Sequence, residues 1–150
     1  MNAITQTLLN IKEFAESEKP LDFLLIAVNE AKADFQNRIF NSEDGAKDAK
    51  GKGLGKYSNS YARYRQAKGR QAKAVDLEFT GSLRREIKVV KTEDKVLINI
   101  VSAFELRKAE YVEENYKTKI FTLNDDEHNI YKRKSNDLFL REIKKICRNE

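Results

Sequence analysis

The segment TGSLRREIKVVKTEDKVLINIV, residues 80–101, contains the strongest β-strand signal in the chain. Two runs rich in β-branched residues, Ile87–Lys91 and residues 95–101, stand on either side of a polar turn at residues 92–94. In the second run, valine and isoleucine fill alternate positions, with the period of two that a half-buried strand shows. These features together predict a β-hairpin.

Helical signals precede the hairpin. Thr80 is placed to cap a short helical turn over residues 81–86, because its hydroxyl can accept a backbone N–H. Further upstream, apolar residues at helical spacing predict a first helix that ends near Glu16. They also predict a long second helix from Pro20 through Phe40, since proline is tolerated at the start of a helix.

Two capping-box spacings predict the helices that follow the hairpin. The spacing at residues 102–105 indicates a helix to about Asn115, and that at residues 124–127 indicates a final helix toward Cys147. Residues 117–123, which separate them, are predicted to be extended. The final helix is expected to bury the apolar residues Ile130, Leu138, Phe139, Ile143 and Ile146, and the same stripe accounts for Cys147.

The length of 150 residues fits one domain with one hydrophobic core, and we expect a single domain over residues 1–150. The order of the predicted elements makes it an α+β domain, with helices packed against a small antiparallel β-sheet. Cys147 is the only cysteine, so an intramolecular disulfide is excluded. The N-terminus lacks the pattern of a signal peptide and no apolar run is long enough to cross a bilayer. We therefore expect a cytoplasmic protein without a membrane partner.

Residues 41–75 form a basic segment that we expect to be an exposed loop within this domain. Glycine and charged residues dominate its first part, and between Lys50 and Val75 it has eight cations and no acidic residue. Self-repulsion is expected to keep the segment extended or mobile until an anionic partner meets it. The candidate contact residues are Lys50, Lys52, Lys56, Arg63, Arg65, Lys68, Arg70 and Lys73.

Two kinds of partner fit the basic segment. Its cations can neutralise nucleic-acid phosphates, while the interleaved Tyr57, Tyr61 and Tyr64 stack on bases or form hydrogen bonds. Alternatively, the segment orders against an acidic neighbouring subunit, as charged segments commonly do on binding. The residues leave both possibilities open.

The chain lacks the side-chain combinations that catalysis or metal binding requires. His128 is the only histidine, and the acids at residues 125–127 have an ordinary explanation at the start of a helix. Gly55-Lys56 is followed by Tyr57, whereas a phosphate-binding loop requires serine or threonine there. We predict a protein that is not an enzyme, with no catalytic residue, no metal site and no cofactor.

Five short motifs follow one another along the chain: RIF at 38–40, LGKYS at 54–58, DLEFTGSLRREI at 76–87, AEY at 109–111 and KIFTL at 119–123. This pattern resembles the tailed-phage virion-morphogenesis family, which includes head–tail joining and tail-completion proteins. The family motif is a threonine-glycine-x-leucine-arginine turn that leads into a β-hairpin. Its positions in this chain are Thr80, Gly81, Leu83 and Arg84.

The resemblance implies a structural virion protein that is an α+β subunit of a homo-oligomeric ring, with a hexamer suggested. Such a ring lies between the capsid portal and the tail, as a connector, a neck or a tail terminator. The implied partners are further copies of this chain, portal or adaptor and tail proteins, and packaged DNA passing through. The implied location is the head–tail interface of the virion, after assembly in the host cytoplasm. A stand-alone basic nucleic-acid-binding module is the alternative.

Overall fold

The computed structural model describes residues 2–40, 43–78 and 80–148. Asn41 and Ser42, which begin the predicted loop, and Phe79, inside the 76–87 motif, lie outside the described residues. The helices are α1 (Ala3–Glu16), α2 (Lys19–Phe40), α3 (Asn59–Ala67), α4 (Ser82–Glu86), α5 (Ala103–Tyr116) and α6 (Asp125–Arg148). The strands are β1 (Ile87–Lys91) and β2 (Val96–Ile100).

The two strands form the predicted hairpin. They pair antiparallel in a register that places Ile87 opposite Ile100 and Lys91 opposite Val96. The polar turn at residues 92–94 connects them, and the Thr92 N–H donates to the carbonyl of residue 95 at 2.8 Å. The prediction of a β-hairpin is confirmed.

The core lies between α2 and the inward face of the hairpin. α2 buries the second half of the stripe that its helical spacing predicted, with Phe35 and Ile39 inside, whereas Leu21, Leu24 and Leu25 near its start are half-buried. Ile87 is buried on the strand side, and Ile98 and Ile100 pack against the same cluster. The buried members of the cluster are Phe35, Ile39, Phe40, Leu83, Ile87, Ala109 and Ile120. Helices packed on one small antiparallel sheet form a single α+β domain, which confirms the predicted fold class.

α1 and α6 pack against α2 on the other side. Their contact is an aromatic cluster of Phe14, Phe23 and Phe139, with ring centroids 5.7–6.4 Å apart. The five apolar residues predicted to be buried on α6 are only half-buried, and Cys147 is exposed. The prediction for that face is wrong in degree because, among the described residues, α6 packs mainly on α2 and on the 14-residue α1, which cover it in part.

The helix caps agree with the sequence signals at the starts of α5 and α6 and differ at the start of α4. Ser102 caps α5 by accepting the Glu105 N–H at 3.4 Å. At the start of α6, the Asn124 side chain accepts the Glu127 N–H at 2.8 Å, and the Glu127 carboxylate accepts the Asn124 N–H at 2.9 Å. This is the predicted reciprocal capping box. The N-cap of α4, however, is Gly81 in a left-handed conformation with φ 74°. Thr80 therefore does not cap the turn as predicted; its hydroxyl accepts the Ser82 N–H at 3.4 Å.

Candidate partner-binding surface

The described part of the basic segment, residues 43–75, was predicted to be an exposed loop. Most of it is exposed and outside helices and strands, but it also contains a helix and several buried residues. Part of it forms α3, which is capped by the side chain of Ser58. The buried residues within the described part of the segment are Gly45, Ala46, Asp48, Arg65 and Val75. Self-repulsion was expected to keep the segment extended or mobile, but two buried carboxylates, Asp48 and Asp76, stand just outside the acid-free stretch and organise it from either end.

Arg65 holds the second half of the segment together. Its side chain is 2% exposed, and its Nη2 lies 2.9 and 3.0 Å from the two carboxylate oxygens of Asp76. Its Nε donates to the carbonyl of Gln71 at 2.8 Å, and Nη2 also donates to that of Glu78 at 3.0 Å. The guanidinium carbon lies 4.5 Å from the centroid of the Tyr57 ring. The prediction that Arg65 contacts DNA or a partner is therefore wrong, because its charge is paired inside the protein.

Asp76 is surrounded by hydrogen-bond donors. The Tyr57 hydroxyl donates to Oδ1 of Asp76 at 2.8 Å and accepts the Asp76 backbone N–H at 3.1 Å. The Gln71 side-chain amide donates to Oδ2 at 2.6 Å. Burial raises the pKa of Tyr57 well above its ordinary value, and the adjacent carboxylate adds to the shift. The hydroxyl consequently stays protonated and keeps donating to Asp76.

Asp48 anchors the glycine-rich first half. Its Oδ1 accepts the backbone N–H groups of Lys50 and Lys52, both at 2.9 Å, and its Oδ2 accepts the Thr118 hydroxyl at 2.9 Å. Burial alone would raise the pKa of Asp48, but these hydrogen bonds outweigh it and hold the pKa below its ordinary value. The carboxylate thus joins the loop to the segment that follows α5.

Gly45 lets the loop pass close to residues 74–75. Its φ is +94°, a region that favours glycine. A Cβ at this position would lie 2.7 Å from the Cβ of Ala74 and 2.9 Å from the carbonyl oxygen of Val75. This position therefore requires glycine for both its backbone conformation and its close contact.

The remaining candidate cations lie at the surface of the folded segment. These are Lys50, Lys52, Lys56, Arg63, Lys68, Arg70 and Lys73. Among them, the exposed rings of Tyr61 and Tyr64 stack on α3, with centroids 6.0 Å apart and planes 28° apart. Tyr57 meets Tyr61 edge-on at 5.2 Å. Lys68 Nζ lies 6.0 Å from the centroid of the Tyr64 ring. We call the seven exposed cations of this segment and its two stacked tyrosines the basic face; their chemistry suits phosphates or carboxylates.

The residues of the Thr80–Arg84 motif have structural contacts. Leu83 is buried in the core cluster. Arg84 Nη1 lies 3.6 Å from Oε2 of Glu78, and its carbonyl accepts the Gln36 side-chain amide at 2.9 Å. Thr80 and Gly81 form the turn that leads into α4. Through these contacts, the motif joins α2 to the hairpin.

Arg38, which belongs to the RIF motif, is a positioning residue. Its Nε lies 2.7 Å from Oε1 of Glu127, and both side chains are almost fully buried. Nη1 donates to the carbonyls of Lys47 and Ile120 at 2.9 and 3.2 Å, and Nη2 to that of Thr122 at 2.8 Å. One guanidinium therefore connects α2, the basic segment, residues 120–122 and α6. The partners are far apart in sequence, so no local signal could identify them.

Two classes of feature are absent from the part of the chain that the structure describes. No group of three or more histidine, cysteine, aspartate or glutamate side chains there is arranged to hold a metal ion. No helix among the same residues has the length and apolar character needed to cross a membrane. Comparisons with protein-family models, with curated proteins and with solved structures find no match for this chain.

Proposed function

We propose that this protein is a structural subunit of a tailed-phage particle. Identical copies would form a ring at the head–tail junction, between portal and tail, as a connector or a tail-completion protein. The resemblance of its motifs to the virion-morphogenesis family supports this proposal. The function of such a subunit is to bind its neighbours, so the relevant chemistry lies in its surfaces.

Large apolar side chains at the surface support the proposal most directly. On α5, Phe104 is 68% and Tyr111 is 69% exposed. They are seven positions apart and therefore share one face of the helix. On α1, Ile4 is 72% and Leu8 is 62% exposed, one turn apart. Grouped apolar residues of this kind mark surfaces that another protein covers. A ring needs two different contact surfaces on each copy, because its interfaces are heterologous.

Native mass spectrometry of the purified protein, alone and with particle extract, tests the proposal. We expect closed oligomers of a single size. Phe104→Glu with Tyr111→Glu should convert them to monomers, since an unpaired charge is costly to bury in an interface. Asn129→Glu with Asn136→Glu is the matched control: both residues are exposed on α6 and are also seven positions apart. A protein that is monomeric at every concentration and absent from particles contradicts the proposal.

Nucleic-acid binding by the basic face is a second candidate function. It is favoured by the seven exposed cations beside the stacked Tyr61 and Tyr64. Affinity for DNA should then fall steeply with salt, and Arg63→Ala should reduce the salt slope by about one. Lys12→Ala on α1, far from the basic face in sequence, should leave the slope unchanged. If no DNA binding is measurable at low salt, this function is excluded and an acidic protein is the remaining partner for the basic face.

A further inference from the structure

The outer edge of β2 has no strand beside it in residues 2–40, 43–78 and 80–148. Successive residues of an antiparallel strand direct their backbone N–H and C=O groups to opposite sides. The Val101 N–H donates to the carbonyl of Glu86 at 3.0 Å. Leu97 and Asn99, at every second position before Val101, therefore also direct their backbone groups toward β1. The backbone groups directed away from β1 belong to the other set, Val96, Ile98 and Ile100.

A trough lined by both apolar and polar residues follows that open edge. It consists of two adjoining cavities of about 510 and 290 Å³, and Phe35, Ile98 and Phe121 line both of them. β1 contributes only Ile87 to the lining, so the trough lies on the side of β2 away from β1. The cavities together extend along all five residues of β2. At about 3.3 Å per residue, this is roughly 17 Å.

The wall opposite β2 is formed by residues 119–123, which are held away from the strand. The N–H groups of Ile120 and Phe121 donate to Oε1 of Glu113 at 2.8 and 2.9 Å. The carbonyl of Ile120 accepts from Arg38 at 3.2 Å. Because these backbone groups already have partners, the segment cannot pair with β2 and close the trough.

We propose that the trough binds one extended segment of another protein, which adds to β2 as a third strand. A row of unpaired N–H and C=O groups binds an extended backbone, because only that geometry repeats at the same spacing. The apolar side chains that line both cavities, Phe35, Ile98 and Phe121, favour a segment with apolar side chains at every second position. The trough is bounded by β2 on one side and residues 119–123 on the other. It therefore fits a single flexible chain better than the edge of a second folded sheet, such as β2 of another copy.

Hydrogen exchange measured by NMR on the full chain tests the first step. In the dilute protein, the amides of Val96, Ile98 and Ile100 should exchange much faster than those of Leu97 and Asn99, because only the latter pair with β1. Equal protection of both sets would overturn the proposal, since the edge would then already be covered.

A synthetic peptide tests the second step. The probe is acetyl-Lys-Val-Thr-Val-Thr-Val-Lys-amide, and the same peptide with proline at its central valine is the control. We expect the first peptide alone to slow exchange at Val96, Ile98 and Ile100. Thr122→Trp, an exposed residue of the trough wall, should weaken binding at least roughly tenfold. Lys88→Trp, exposed on β1 outside the trough lining, is the matched control and should have no effect.

Three results would overturn the proposal. The first is the absence of slowed exchange at the solubility limit of the peptide. The second is peptide binding that Thr122→Trp leaves unchanged, which would place the peptide elsewhere. The third is protection of the same amides that grows with protein concentration without peptide, which would identify a second copy as the occupant. The proposal does not depend on ring formation. Native mass spectrometry tests the ring and exchange at β2 tests the trough, so the failure of one can be told from the failure of the other.

Discussion

Replacing Arg65 with leucine is expected to destabilise the basic segment and, with it, the whole domain. Leucine fills part of the space of the arginine side chain but removes its charge. The carboxylate of Asp76, whose side chain is only 12% exposed, is left without its cation. It also removes the donor to the carbonyls of Gln71 and Glu78. Removing one partner of a buried ion pair costs about 3–5 kcal/mol, because the other charge remains desolvated.

That cost is large for a domain of this size. Domains are stable by roughly 5–15 kcal/mol, so the loss is a substantial fraction of the total. At about 2–4 °C per kcal/mol for 150 residues, Tm should fall by roughly 6–20 °C. Replacing both partners, as in Arg65→Leu with Asp76→Leu, should recover much of the loss, since no unpaired charge is then buried.

Urea unfolding followed by circular dichroism measures these free energies. The matched control is Arg63→Leu, which makes the same change two positions away on the exposed surface of α3. It should alter the free energy of unfolding by less than about 0.5 kcal/mol. If Arg65→Leu and Arg63→Leu give equal and small changes, Arg65 does not hold the segment together and the reasoning from the ion pair is refuted.

Three further predictions concern the loop and the core. Gly45→Ala should destabilise the domain by about 2–4 kcal/mol, because it combines a left-handed backbone with close contacts. Gly51→Ala, which has open space around it, should show only the cost of the left-handed backbone. Thermal unfolding measures both. Asp48 has a lowered pKa, so its stabilisation is fully present above its unfolded pKa and is lost as pH falls through the folded value. Below about pH 4, the amides of Lys50 and Lys52 should lose protection in the wild type, and Asp48→Asn should remove this pH dependence; acid-insensitive amides in the wild type would contradict it. Phe35→Ala should cost about 3–5 kcal/mol in urea unfolding, and a change below about 0.5 kcal/mol would mean that the ring is not part of the core.

Local signals in the sequence predict most of the elements. The hairpin follows from alternation around a polar turn, and the capping box at Asn124 and Glu127 forms because its two hydrogen bonds depend only on residues three apart. The prediction that the basic segment is mobile leaves out two acidic residues. A count of charges between Lys50 and Val75 omits Asp48 and Asp76, which stand immediately outside that stretch.

Contacts between distant residues explain what local signals miss. Arg38 and Glu127 are 89 positions apart, so neither the helical stripe around Arg38 nor the capping box at Glu127 indicates that they pair. The prediction that residues 117–123 are extended is wrong in part, because Lys117 is left-handed with φ 52° and the chain bends at residues 118, 121 and 122. The interactions with Glu113 and Arg38 that hold them away from β2 are tertiary. The candidate trough could therefore not be found from the sequence.

Electron cryomicroscopy of the intact phage particle tests the central claim most directly, because it shows whether copies of this chain occupy the head–tail junction. The proposed function predicts a closed ring of identical α+β subunits at that place, with the Phe104–Tyr111 face of α5 buried against a neighbour. The proposal would be contradicted if the junction contained no density that fits this fold and the host contained the protein only as a free monomer.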